Sequence, residues 1–245
     1  MFWLAPDAIP AELEAFGSLD RVLGGGGELI NESKLSHLRR RSVGDRRYYV
    51  KTYRYAGRNL RRFVGPSRAR SEWKNQRRFA SIGVPSARMV AFGERKAFSG
   101  AYKGVVVTEE IVGTIDLWNL IRTQPARLHD FDWMGKVIDR LASHVRAMHR
   151  RNFVHNDLKW RNILVDFSNR PEVYIIDCPL GRVLRGPIFE RGVVKDLACL
   201  DRVARLHLSR GQRLRFFKRY HDTDRLGDVH RRQIGKVLRF FEGRE

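Results

Sequence analysis

The sequence predicts an α+β protein of two lobes, a small β-rich N-terminal lobe over residues 1–112 and a helical C-terminal lobe over 113–245, and three observations predict it. Strand-forming runs at 28–31, 35–43, 48–53 and 104–112 crowd the first half. In the second half Met134, Ile138, Leu141, Val145 and Met148 recur at steps of four and three, the stripe of a long core helix, with Asp139, Arg140, Ser143 and Arg146 facing elsewhere. The third is the stretch His155-Asn156-Asp157-Leu158-Lys159-Trp160-Arg161-Asn162-Ile163-Leu164-Val165, followed by Ile175-Ile176-Asp177. A carboxylate, an amide five residues on and a second carboxylate closing the next apolar strand are what ATP-dependent phosphoryl transfer requires: one group orients the acceptor hydroxyl and two hold Mg²⁺ on the phosphates. With 42% apolar residues in 245, the chain can build a core shared by two small lobes, with the break near Val112-Gly113.

The elements follow in order. Residues 1–7 lack the basic start and long apolar stretch of a signal peptide, which predicts a cytoplasmic protein with a short N-terminal extension. Gly24-Gly25-Gly26-Gly27 invites a reading as a phosphate cradle, but it lies too far before Lys51; it reads better as the entry to the sheet, with the nucleotide-covering turn at Asn31-Glu32-Ser33-Lys34. After the turn signal Gly44-Asp45, Tyr48-Tyr49-Val50-Lys51-Thr52-Tyr53 places Lys51 inside a strand, where it can reach the α- and β-phosphates. A helix over 66–79 is bounded by Pro66 and by Gly83-Val84-Pro85, and puts Glu72, 21 residues after Lys51, where it can pair with that lysine. Residues 104–113 read as a buried strand running into a turn, the hinge candidate.

Asp157 and Asn162 are too close in sequence to sit on separate elements, so they share one loop entering a strand, and Asp177 faces them across a hairpin. His144 and His149 flank the helix stripe and are given no role. Two cysteines, Cys178 and Cys199, cannot make a disulfide framework and have no partner at metal-ligand spacing; they are expected to be reduced and structural.

Together these residues resemble the protein-kinase-like superfamily. His155-Asn156-Asp157-Leu158-Lys159-Trp160-Arg161-Asn162 and Asp177-Cys178-Pro179-Leu180-Gly181 narrow the resemblance to the bacterial lipopolysaccharide core kinases, the Kdo/heptose kinase group of WaaP and InaA-type proteins, over roughly residues 27 to 205. The resemblance implies transfer of the γ-phosphoryl group of ATP, with Mg²⁺, to a hydroxyl of an inner-core sugar. Asp157 is then the base and Lys159 neutralises the γ-phosphate, while Asn162 and Asp177 bind the metal and Lys51, positioned by Glu72, holds the α- and β-phosphates. It also implies adenine contacts from the carbonyl of Glu110 and the N–H of Val112, ribose within reach of Asp116, a pocket floor at Leu164, a covering turn around Ser33, and a scaffolding His155 bonded to backbone near Asp177. Two departures stand out. Asn156 replaces the arginine that binds a phosphorylated activation loop, and Cys178-Pro179 replaces the Phe-Gly pair after the metal-binding aspartate. Only about eighteen residues separate Asp177 from the helix expected near Lys195-Asp196-Leu197, so control by loop phosphorylation is not expected. Kinases of proteins or of small molecules such as aminoglycosides share the transfer site, and a non-catalytic polyanion-binding stress-response module would need a broken one.

Charge is the second signal. Forty-eight Lys and Arg against 27 Asp and Glu leave +21, enough to draw the chain to nucleic acid, an anionic membrane leaflet or a phosphorylated glycolipid, unless it is merely a solvated face. Arg39-Arg40-Arg41, Arg46-Arg47, Arg58, Arg61-Arg62, Arg68, Arg70 and Arg77-Arg78 load the first lobe; Arg205, Arg210, Arg213, Arg215, Lys218, Arg219, Arg231, Arg232, Lys236 and Arg239 load the tail. The resemblance favours peripheral attachment to the cytoplasmic face of the inner membrane over nucleic acid. Aromatics such as Phe63, Trp73, Phe216, Phe217, Tyr220, Phe240 and Phe241 suit it, with the C-terminal helices around 208–220 and 229–241 as the expected contact.

Overall fold

Residues 1–55, 65–96 and 102–243 are described by the computed structural model. They divide into two units, Met1–Arg78 with Ala87–Val112 and Phe79–Ser86 with Gly113–Glu245. In the first, a six-stranded antiparallel sheet has the order β1-β5-β6-β4-β3-β2, with β1 at Phe2–Leu4, β2 at Glu28–Glu32, β3 at Ser36–Val43, β4 at Arg46–Tyr53, β5 at Met89–Lys96 and β6 at Tyr102–Glu109. Side chains alternate across a strand. Tyr48 and Val50 of β4 therefore enter a core with Phe16, Leu19 and Val22 of the helices α1 (Pro10–Phe16) and α2 (Leu19–Gly24), while Tyr53 packs with Ala69 and Trp73 of α3 (Arg68–Ser81). Lys51 shares the Tyr53 face and so points toward α3.

The N-terminal extension is well tied down. Glu12 of α1 has no solvent exposure and accepts hydrogen bonds from the Tyr48 hydroxyl (2.8 Å) and the Ile9 N–H (3.0 Å) while pairing with Arg88. The glycine run leads into the sheet, and two of its carbonyls are taken by arginines: Gly27 accepts from Arg39 at 2.8 Å, and Gly25 accepts from Arg41, as does Val22 just before the run.

In the second unit α5 (Phe131–Arg150) is central, and Met134, Ile138, Leu141, Val145 and Met148 are all buried, as the periodicity predicts. A three-stranded sheet, β10-β9-β7, comprises β7 (Thr114–Asp116), β9 (Ile163–Asp166) and β10 (Val173–Ile175); β8 (Phe153–Val154) pairs with β11 (Arg182–Val183). The helices α4 (Leu117–Thr123), α6 (Gly186–His207), α7 (Arg210–His221) and α8 (Asp228–Leu238) complete it.

Three expectations are corrected. The helix after Asp177 begins at Gly186, not near Lys195, with Pro187 in its first turn, so the connecting segment is shorter still and β11 pins it to β8. The aromatics expected to contact a membrane belong largely to the core: Trp73, Phe217 and Tyr220 are buried, and Phe216, Phe240 and Phe241 pack against the core, because the apolar faces of the C-terminal helices are turned inward. Part of the basic tail is internally paired, Arg213 with Asp201 through two 2.8 Å contacts and Arg215 with Asp139 at 2.8 and 2.7 Å. Arg58, Arg61, Arg62 and Phe63 lie outside the described residues.

Met148, fully buried on α5, tests the core directly. Met148→Ala is expected to lower unfolding free energy by about 2–5 kcal/mol, the cost of the lost transfer energy and the cavity. Urea titration should show an earlier midpoint with an unchanged slope.

Candidate active site

The β9–β10 hairpin assembles the polar residues of the second unit. Its register pairs Ile163 with Ile175, and one step further the Ile176 N–H donates to the Asn162 carbonyl at 3.0 Å, which brings Asp177 beside Asn162. Asn162 is buried. Its Nδ2 donates to the Asp157 carbonyl at 2.9 Å and its N–H to the Lys159 carbonyl at 2.9 Å, so the loop folds back on itself. The first of these bonds fixes the amide orientation: nitrogen faces the protein, and the oxygen is the atom left for a cation. The Asp157 carboxylate, a quarter exposed, lies 2.6 Å from Lys159 Nζ.

His155 has no solvent exposure. Its Nε2 donates to the Ile176 carbonyl (3.2 Å) and its Nδ1 accepts from the Asp157 N–H (3.3 Å), two bonds that assign the proton to Nε2. Burial depresses its pKa, against the raising influence of Asp196 and Asp177. A neutral ring locked to the backbone fits the scaffolding role expected of it. Asn156 (φ 65°) and Asp177 (φ 57°) both occupy the left-handed region, which Asn and Asp tolerate better than other non-glycine residues but still at a cost of about 1 kcal/mol each.

What holds the loop is Asp196 of α6, a residue the sequence reading used only as a helix landmark. Its carboxylate is fully buried and accepts the N–H groups of His155 and Asn156, each at 2.7 Å, with His149 Nε2 at 3.4 Å. His149 in turn contacts the Tyr220 hydroxyl at 2.8 Å. The Trp160 indole fastens the far side by donating to the Leu200 carbonyl at 2.9 Å. An acidic residue inside the apolar run Val193-Val194-Lys195-Asp196-Leu197-Ala198 was the available signal, because a charge buried there requires partners.

In the first unit Lys51 Nζ lies 3.2 Å from Glu72 Oε2, both side chains largely buried, and the Tyr53 hydroxyl also donates to Glu72. The expected strand-to-helix ion pair is present, with Tyr53 an unanticipated third member. The other expected binding residues are placed as follows. Ser33 closes the β2–β3 turn, its hydroxyl donating to the Ser36 carbonyl (3.0 Å) and accepting from the Ser36 N–H (3.1 Å). The Glu110 carboxylate pairs with Arg47 at 2.6 Å. Val112 is 72% exposed at the turn before β7, where Gly113 adopts φ +77°. Asp116 caps α4, accepting from the Asn119 N–H at 2.9 Å and its side-chain amide at 2.7 Å, and pairs across the sheet with half-buried Leu164. Cys178 and Cys199 are buried free thiols.

Burial also depresses the pKa of His144, and that of His221 to about 4. A histidine whose folded pKa lies below its ordinary 6.5 leaves the unfolded state to take up the proton first, so its stabilisation is full above pH 6.5 and is lost as pH falls toward the folded value. Denaturant titrations should therefore give lower stability at pH 5 than at pH 7, and His221→Gln should reduce that difference.

Comparison with known proteins agrees with this geometry. The sequence model of the lipopolysaccharide kinase (Kdo/WaaP) family matches residues 30–220. The chain is 29% identical over 232 residues to the lipopolysaccharide core heptose(I) kinase WaaP of Pseudomonas aeruginosa, covering 87% of this chain and 80% of that protein. A shorter similarity, 28% over 106 residues, relates 43% of the chain to 33% of the B1 kinase of variola virus. Among solved structures, WaaP in complex with acyl carrier protein matches with a TM-score of 0.74 at 26% identity, over 99% of this chain and 97% of that one. The chain belongs to the lipopolysaccharide kinase (Kdo/WaaP) family and has its protein-kinase-like fold.

Proposed function

We propose that the protein transfers the γ-phosphoryl group of ATP to a hydroxyl of a heptose or Kdo sugar in the lipopolysaccharide inner core. The observation that carries this is the complete polar set of Asp157, Asn162 and Asp177, tied together by the loop and hairpin, in a chain of this family. Asp157 orients the acceptor hydroxyl and takes its proton as the oxygen–phosphorus bond forms. Lys159, whose ammonium already lies 2.6 Å from Asp157, offsets the negative charge of the phosphoryl group in transfer. The amide oxygen of Asn162 and the carboxylate of Asp177 are the hard oxygen donors that Mg²⁺ takes, and the ion would neutralise phosphate charge there. Lys51, steadied by Glu72 and Tyr53, holds the α- and β-phosphates. For the nucleotide, the family resemblance assigns the backbone of Glu110 and Val112 and the side chain of Leu164 to adenine, Asp116 to the ribose and the Ser33 turn to the phosphates.

The acceptor is carried on a lipid, so the protein works at a bilayer surface, on its cytoplasmic face. The net charge of +21 suits peripheral attachment to an anionic surface, and the lipid-borne acceptor, not the charge, favours the membrane over nucleic acid. No helix among the described residues is long and apolar enough to cross a membrane.

Mass spectrometry of lipid A–core from a deletion strain should show the loss of one phosphate per molecule, and an unchanged core would refute the assigned substrate. In vitro, Asp157→Ala should lower turnover by roughly 10²–10⁴-fold while leaving ATP affinity largely intact, because the base acts on the acceptor. Asp177→Ala should instead abolish metal-dependent nucleotide binding. Wild-type turnover by both variants would remove this loop from the chemistry.

A further inference from the structure

The second unit carries an arginine-lined groove that the reaction does not use. Between α5 and α7 lies a depression of about 500 Å³ whose walls include Ile82, Ser143, Arg146, Arg150, Arg151 and Arg219. None of Asp157, Lys159, Asn162 or Asp177 borders it. Part of the basic surface is answered locally, as Arg213 is by Asp201, Arg215 by Asp139 and Arg47 by Glu110. Here the balance differs. Arg146 pairs with Asp222 at 2.8 Å and Arg219 donates to Ser143 at 3.3 Å, whereas Arg150 and Arg151 are exposed and have no ion-pair partner among the described residues. Four guanidinium groups thus converge on one concavity with a single carboxylate on its rim.

Such a cluster is held together against its own repulsion, which an anion placed in the groove would relieve. Guanidinium forks match the paired oxygens of a phosphate better than ammonium groups do. An adjoining depression shares Arg219 and Asp222 and sets Arg215 and Lys218 against Asp139 and Asp224 beside Leu214, so its charges are matched and the arginine excess belongs to the first groove. Neither depression is lined by an aromatic ring on which a nucleic-acid base would stack.

We propose that this groove seats the protein on an anionic bilayer, with Arg150, Arg151 and Arg219 taking the phosphodiester headgroups of acidic phospholipids; this rests on the peripheral-membrane reading above. Arg219 lies in the 208–220 stretch anticipated from sequence, whereas Arg150 and Arg151 do not, and the rings Phe216, Phe217 and Tyr220 anticipated there are committed to the core.

The test is co-sedimentation of the full chain with phosphatidylcholine vesicles prepared with and without phosphatidylglycerol, over a range of salt. Wild type should bind the anionic vesicles at low salt and detach as salt screens the field. Reversing the groove by Arg150→Glu, Arg151→Glu and Arg219→Glu should weaken binding roughly tenfold or more. A charge-matched control on exposed positions of α6 and α8, Arg205→Glu, Arg232→Glu and Lys236→Glu, should weaken it by no more than about twofold. Turnover on a soluble core oligosaccharide should be unchanged in both. If the reversal prevents folding, the corresponding glutamine set, which only removes charge, serves the same comparison. Equal losses in the groove and control variants would overturn the groove while leaving membrane attachment standing, and no wild-type binding to anionic vesicles would overturn both. If the groove variant lost affinity for duplex DNA alone, the site would be a nucleic-acid surface and the proposal would fail.

Discussion

A carboxylate with no access to water is held at the middle of α6, and on it the loop of residues 155–162 depends. Burying Asp196 alone would cost several kcal/mol; two charge-assisted hydrogen bonds from the N–H groups of His155 and Asn156, at 2.7 Å each, offset that cost. Their effect spreads along the backbone. With residues 155 and 156 fixed, Asn156 stays in its left-handed conformation and Asp157 leaves the loop in one direction. The His155 ring reaches the Ile176 carbonyl and so fixes the residue just before Asp177. One buried charge thus constrains the backbone around both aspartates.

The first unit solves the matching problem with a strand instead of a loop. Alternation along β4 puts Lys51 and Tyr53 on one face, and both meet Glu72 from α3. Because Tyr53 belongs to the core packed against α3, the carboxylate that positions Lys51 is itself anchored to the packing of the sheet. Both units therefore aim polar groups through rigid secondary structure, with no long loop required to order itself first.

Much of this is legible in the sequence where short spacing leaves few alternatives. Asp157 and Asn162 must share a loop, Asp177 must close the adjacent strand, and a five-residue apolar stripe can only be a buried helix face. Asp196 is not legible in that way, because 41 residues separate it from His155 and a lone aspartate in a helix carries no spacing signal. The start of α6 is only half signalled: Pro187 stands in its first turn, but Arg185 at the N-cap makes no capping bond. Periodicity identifies an apolar face without saying what covers it, which is why Phe217 and Tyr220 could suggest a membrane contact and prove to be core. Counting arginines likewise cannot separate Arg213, consumed by Asp201, from Arg150 and Arg151, which have no ion-pair partner among the described residues.

The left-handed backbone at Asn156 bears on what this enzyme could become. Asparagine is among the few side chains that accept φ near +65°, and its amide also donates to the Leu180 carbonyl at 3.1 Å, tying down the segment that follows Asp177. An arginine at this position, the usual receptor for a phosphorylated activation loop, would add backbone strain and remove that tie together. Acquiring phosphorylation control would thus first loosen the segment it was meant to govern, so the path to a loop-switched kinase runs uphill from this residue.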